Sequence, residues 1–142
     1  MSIPTATLQI TINAFNPIGG IYPINATLAL TAGDPGIFSL QNGETLMITL
    51  PSQQTVQLTY QLPDPRYVLL GLALGNAKGS AGRTEFPTIT LNRDPNCSQM
   101  FVTDSALPKF SGVNFTYVIL VQEVATGAIG LIDPDVETEI QD

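Results

Sequence analysis

Near the start of this chain Ala6, Leu8, Ile10, Ile12 and Ala14 alternate with Thr7, Gln9, Thr11 and Asn13. Successive side chains of an extended strand point to opposite faces, so a period of two sends one row into a core and leaves the other in water. The pattern returns at Ile24, Ala26, Leu28 and Leu30 against Asn25, Thr27 and Thr31. It returns again at Leu46-Ile48-Leu50 and at Val56-Leu58-Tyr60-Leu62, while Ile89-Leu91, Met100-Val102 and Ile129-Leu131 give shorter runs. No window long enough for a helix carries an apolar stripe with caps. Most of the 12 glycines and 11 prolines fall between the runs, where turns need them. An all-β single domain over residues 1–142 is the expectation.

Two runs break the alternation. Tyr67 to Leu74 and Phe115 to Val121 are apolar on both faces, which predicts cover on both sides or a subunit contact. Pro51-Ser52-Gln53-Gln54 predicts a hairpin joining the strands on either side of it. Asn16 to Pro23, with two Gly and two Pro, reads as a loop whose Ile18, Ile21 and Tyr22 fold back over one end of the core. Asp-Pro occurs at Asp34, Asp64, Asp94 and Asp133. The flanks share little beyond the pair itself, so these read as strand-entry corners rather than repeats. Pro extends the residue before it, and Asp accepts a local backbone hydrogen bond.

Composition removes whole classes of chemistry. Without histidine, neither a Ser-His-Asp nor a Cys-His arrangement can form within the chain. Cys97 is the only cysteine, so no intrachain disulfide exists and a structural thiol is expected. Twelve acidic residues against five basic ones give a net charge of −7. Arg66, Lys78, Arg83, Arg93 and Lys109 are scattered singly, which argues against nucleic acid and against an anionic membrane surface. No basic stretch precedes Arg66, and no segment approaches the ~20 apolar residues that span a bilayer. A cytoplasmic protein is expected, or an extracellular one if a leader was removed.

Ala77 to Thr84 (AKGSAGRT) echoes a phosphate-binding loop, but Ala77 replaces its first Gly and Pro87 stands where a helix would run. A flexible loop is expected there. Asp133, Asp135, Glu137 and Glu139 alternate. In a strand they project from one face about 7 Å apart; in a loop Asp133, Asp135 and Glu137 could converge on Ca²⁺. The expectation is a solvated acidic tail and no cofactor, with Ca²⁺ as the alternative. Glu44, Glu85, Asp94 and Asp104 could join across loops, though no sequence rule places them together. A hydrolytic carboxylate pair would need a cleft and a separation of about 5–9.5 Å. The triplets at Asn25, Asn96 and Asn114 that match a glycosylation pattern carry no functional weight, because Thr and Asn are abundant.

The ending is distinctive: Phe115-Thr116-Tyr117-Val118-Ile119-Leu120-Val121, a polar hairpin-like Gln122 to Gly127, then Ile129-Gly130-Leu131-Ile132-Asp133-Pro134-Asp135-Val136. It resembles the small bacterial β-proteins of the DP-EP family, whose last strand runs into an Asp-Pro-x-Ile/Val motif. Met100-Phe101-Val102-Thr103-Asp104 is similar to that family's late strand and Asp-containing turn. Where the family continues with Asn and Pro, this chain has Glu137-Thr138-Glu139-Ile140. The bacterial inclusion-body family is a second, weaker resemblance. Both imply an Ig-like two-sheet antiparallel β-sandwich, here of roughly 8–9 short strands, and neither supplies a catalytic site. The functional expectation is a non-enzymatic protein that works by self-association, as a homo-oligomer, or by binding a partner. Few lysines are available to blunt its sheet edges. The alternatives are a Ca²⁺-dependent or carbohydrate-binding module on the C-terminal acids, and a carboxylate-dependent hydrolase.

Overall fold

The computed structural model describes residues 3–15, 21–74, 85–94 and 97–141. Its strands are β1 (Thr5–Ala14), β2 (Ile21–Pro23), β3 (Asn25–Ala32), β4 (Phe38–Gln41), β5 (Thr45–Leu50), β6 (Val56–Leu62), β7 (Tyr67–Leu74), β8 (Thr88–Asp94), β9 (Cys97–Asp104), β10 (Asn114–Glu123), β11 (Ile129–Ile132) and β12 (Asp135–Ile140). One sheet has the order β3-β1-β6-β9-β8. The other runs β2-β11-β10-β12-β5-β4, with β7 paired to β10. The two sheets pack face to face as an all-β sandwich. Among the described residues, no helix is long and apolar enough to cross a membrane.

The rows read from the alternation are the buried rows in β5, β6 and β9 and, up to Ile12, in β1, whereas in β11 Gly130 and Ile132 face inward and Ile129 and Leu131 face out. Leu8 and Ile10 of β1, Leu58 and Tyr60 of β6, and Met100 and Val102 of β9 line the inside of the first sheet. Ile48 and Leu50 of β5, Val136 of β12, and Phe115, Tyr117 and Ile119 of β10 line the second. Aromatic rings interlock the layers. Tyr60 meets Tyr117 edge-on at 5.9 Å, and Phe86 meets Phe115 and Tyr117 edge-on at 5.2 Å each. Such pairs add about 0.5–1.5 kcal/mol beyond the area they bury.

Strand number and strand pairing differ from expectation. Among the described residues there are twelve strands rather than eight or nine, and the sheets are mixed rather than antiparallel. β1 runs parallel to β6, β5 to β12, and β2 to β11. Pro51 to Gln54 makes no hairpin either, because β5 and β6 lie in opposite sheets and the segment carries the chain across the core. Alternation fixes which face a strand buries, and both strands satisfy it equally well across the core as side by side.

The β4–β5 hairpin turns instead on Asn42-Gly43, both at positive φ (55° and 71°). That backbone matches the twist of the strands it joins, and Gly adopts it at no steric cost. The Asp-Pro corners behave as expected where they are described. Asp34 Oδ1 accepts from Gly36 N at 2.8 Å, and Asp64 Oδ1 accepts from Arg66 N at 3.0 Å. Asp133-Pro134 bends the chain from β11 into β12, so that both strands pair with β10.

Candidate functional site

Met100, Val102 and Asp104 are successive inward positions of β9, so the strand's own alternation drives a carboxyl into the core. Asp104 is 0 % exposed. Its Oδ1 accepts from Ala106 N at 2.8 Å, a local turn in which buried Ala106 takes φ 49°. Its Oδ2 accepts from Thr138 Oγ1 at 2.5 Å. Thr138 is likewise an inward position of β12, following Val136, so this bond joins the two sheets through the interior. A second acid meets the first. Glu85 is 1 % exposed, its Oε1 accepts from Leu107 N at 2.9 Å, and its carboxyl lies close enough to that of Asp104 for each to act on the other's protonation.

Two carboxyl groups bond to each other only when one carries a proton. Burial raises Glu85 to about 8, with the charge of Asp104 adding to the rise and Leu107 N opposing it. Burial raises Asp104 too, against the stabilising bonds from Thr138, Ala106 and Glu85. The groups around the pair are the phenols of Tyr60 and Tyr117, which burial pushes far above their ordinary range. These hydroxyls lie near each other, and neither makes a hydrogen bond of good geometry. A hydrolytic pair must meet substrate and water in a cleft, whereas both of these acids are enclosed.

The two outer faces differ in chemistry. Outside the first sheet, β1, β6, β9 and β8 align rows such as Thr7, Thr59, Phe101 and Thr90, or Gln9, Gln61, Gln99 and Asn92. That face is built mainly of hydroxyls and amides, with the ring of Phe101 exposed among them. Outside the second sheet, cross-strand pairing puts Val118 beside Ala73, Leu120 between Gly71 and Leu131, and Ile129 and Val68 on either side of Gln122. The side chains of Val68, Val118, Leu120, Ile129 and Leu131 are half-buried and, among the described residues, lie outside the hydrophobic core cluster. No heavy atom lies within 4 Å of where a Cβ on Gly71 would stand.

The acids expected at the C-terminus are separated into strand and turn. Asp135 and Glu137 project from the outer face of β12 with Glu139, as an extended strand requires, and Asp135 Oδ1 accepts from Thr116 Oγ1 at 2.8 Å. Asp133 precedes the strand and lines a cleft of about 170 Å³ with Glu44, Leu28 and Ile132. Among the described residues, no three acidic, cysteine or histidine side chains gather as a metal ion would need. Residues 77–84, Ile18 and Asn96 lie outside the described residues, as do the side chains of Ile21, Tyr22, Asp94 and Cys97. No family model matches this sequence, and no curated protein is significantly similar to it.

Proposed function

We propose that the protein is a non-enzymatic assembly module that pairs with a second copy of itself through the outer face of β7, β10 and β11. The observation that carries this reading is the contrast between the two outer faces. A solvated sheet face alternates to Thr, Gln and Asn, as the first sheet does apart from the exposed Phe101. The second sheet carries Val68, Val118, Leu120, Ile129 and Leu131 at the equivalent outward positions. Contiguous apolar surface of this kind, rimmed by polar residues, marks an interaction site.

Charge favours a second copy as the occupant. The chain carries a net charge of −7, and the neighbouring strand β12 shows Asp135, Glu137 and Glu139 to solvent on this same side. Two copies repel through their acidic strands but not through the uncharged region of β7, β10 and β11, and a two-fold contact needs only self-complementarity. The resemblance to small bacterial β-proteins without a catalytic site accords with such a role. Sedimentation equilibrium over a wide concentration range tests it. A dimer with a defined dissociation constant supports the reading, and a monomer at the highest concentration ends it.

A further inference from the structure

Residues 105–112 form a strap between β9 and β10, with a single 3-10 turn at Pro108–Phe110. Its far end is tied to β12: Gly112 N donates to Thr138 O at 2.9 Å, and Ile140 N donates to Ser111 Oγ at 2.9 Å. Its near end is tied to Glu85. Ser105 N donates to the Glu85 carbonyl at 2.7 Å, and Leu107 N donates to Glu85 Oε1 at 2.9 Å. Pro108 contributes no N–H of its own, so the anchor at Leu107 is the last backbone bond before the 3-10 turn that Phe110 N closes on Leu107 O at 3.0 Å.

We propose that Glu85 is a proton-operated latch on this strap: protonated, it docks on Asp104 and holds Leu107, and ionised, it leaves Asp104 and releases the strap. Asp104 is held on both oxygens, by Ala106 N and Thr138 Oγ1, whereas Glu85 has Leu107 N and the shared proton. Among the described residues no cation acts on either carboxyl. Among the described residues, the titratable groups facing the pair are Tyr60 from β6 and Tyr117 from β10, and both phenols stay protonated well beyond neutral pH. Loss of the shared proton therefore leaves two like charges in contact in a medium of low dielectric. The acid with fewer bonds and the longer side chain is the one that moves to water. The latch acts on a different end of the sandwich's chemistry from the proposed dimer face and stands independently of it.

Nuclear magnetic resonance on the full chain tests this in one sample. Carboxyl ¹³C shifts give the midpoint for Glu85, and amide exchange corrected for the intrinsic effect of pH gives the state of the strap. Between pH 6 and about pH 9.5, protection at Leu107 is expected to fall at least about tenfold while Ala106, bonded to Asp104, keeps its own. In Glu85→Gln, whose amide can still donate to Asp104, Leu107 protection is expected not to vary with pH. A Glu85 midpoint in the ordinary carboxylate range overturns the proposal. So does Leu107 protection that is constant through pH 9.5, or that falls together with Ala106. The titration of the unmodified protein decides the matter even if Glu85→Gln fails to fold.

Discussion

Thr138 of β12 donates its hydroxyl hydrogen to Asp104 of β9 across the interior of the sandwich, at 2.5 Å, with both residues all but sealed from water. The two side chains stand where their strands' alternation would otherwise place aliphatic groups. Replacing Thr138 by Val keeps the shape and removes the donor. An Asp104 oxygen then loses its partner in the core, at a cost of about 1–3 kcal/mol. Urea unfolding reads this directly: the midpoint falls while the slope stays the same. An unchanged midpoint would mean that the bond contributes nothing to stability.

Stability is expected to decline as pH rises from about 5 to about 8. Glu85 holds its proton up to about 8 in the folded state but releases it near the ordinary carboxylate value of 4.5 when unfolded. Between those values the native state binds the extra proton, so each step up in pH favours unfolding, by at most about 1.4 kcal/mol per unit for one proton. The contribution is fully present below about pH 4.5 and spent above about pH 8. Asp104, also raised, acts in the same direction. Asp64 acts oppositely: its hydrogen bonds with Arg66 lower it, so its contribution is lost as pH falls. Thermal melts at a series of pH values check the trend, and Glu85→Gln should flatten it. A melting temperature that rises from pH 5 to 8 would contradict this account.

Gly130 is expected to be irreplaceable in β11. A Cβ there would overlap Ile24 Cγ2 and come to 2.8 Å from Phe15 Cε2, so neighbouring side chains must leave their positions. Overpacking of this kind costs typically about 1–3 kcal/mol. Gly130→Ala should lower the melting temperature, whereas Gly71→Ala, with no heavy atom within 4 Å of the added carbon, should not. Equal effects at the two sites would show that Ile24 and Phe15 do not close over Gly130 as described.

Much of this was written in the residue pattern. The inward rows of β1, β5 and β6 follow from alternation alone, because burial has a period of two in any extended strand. The pairing of those strands does not follow. Leu46 to Leu50 and Val56 to Leu62 bury the same faces whether they lie side by side or on opposite sheets, and the chain chooses opposite sheets. Asn42-Gly43 is a legible turn, because Asn-Gly is the strongest short-range hairpin signal. The buried acid was half legible. Met100, Val102 and Asp104 share one parity, as do Val136 and Thr138, and following parity to the end of each strand puts both polar groups in the core. Their partner Glu85 was not legible, because nothing in the pattern brings residue 85 back to the end of β9.

The apolar outer face rests on the same reasoning, since parity places Val118 and Leu120 outside and only the fold sets them beside Ala73, Gly71 and Leu131, half-buried and outside the core cluster. Gly71 lies at its centre, paired with Leu120, in a backbone conformation open to any residue and with free space above it. Gly71→Arg therefore adds a charge to the face without disturbing the core. Light scattering on a sizing column, applied to the unmodified protein and to Gly71→Arg at equal concentration, is the most direct test. The account predicts a dimer for the first and a stably folded monomer for the second. A monomer in both, or an oligomer unaffected by the arginine, would contradict it.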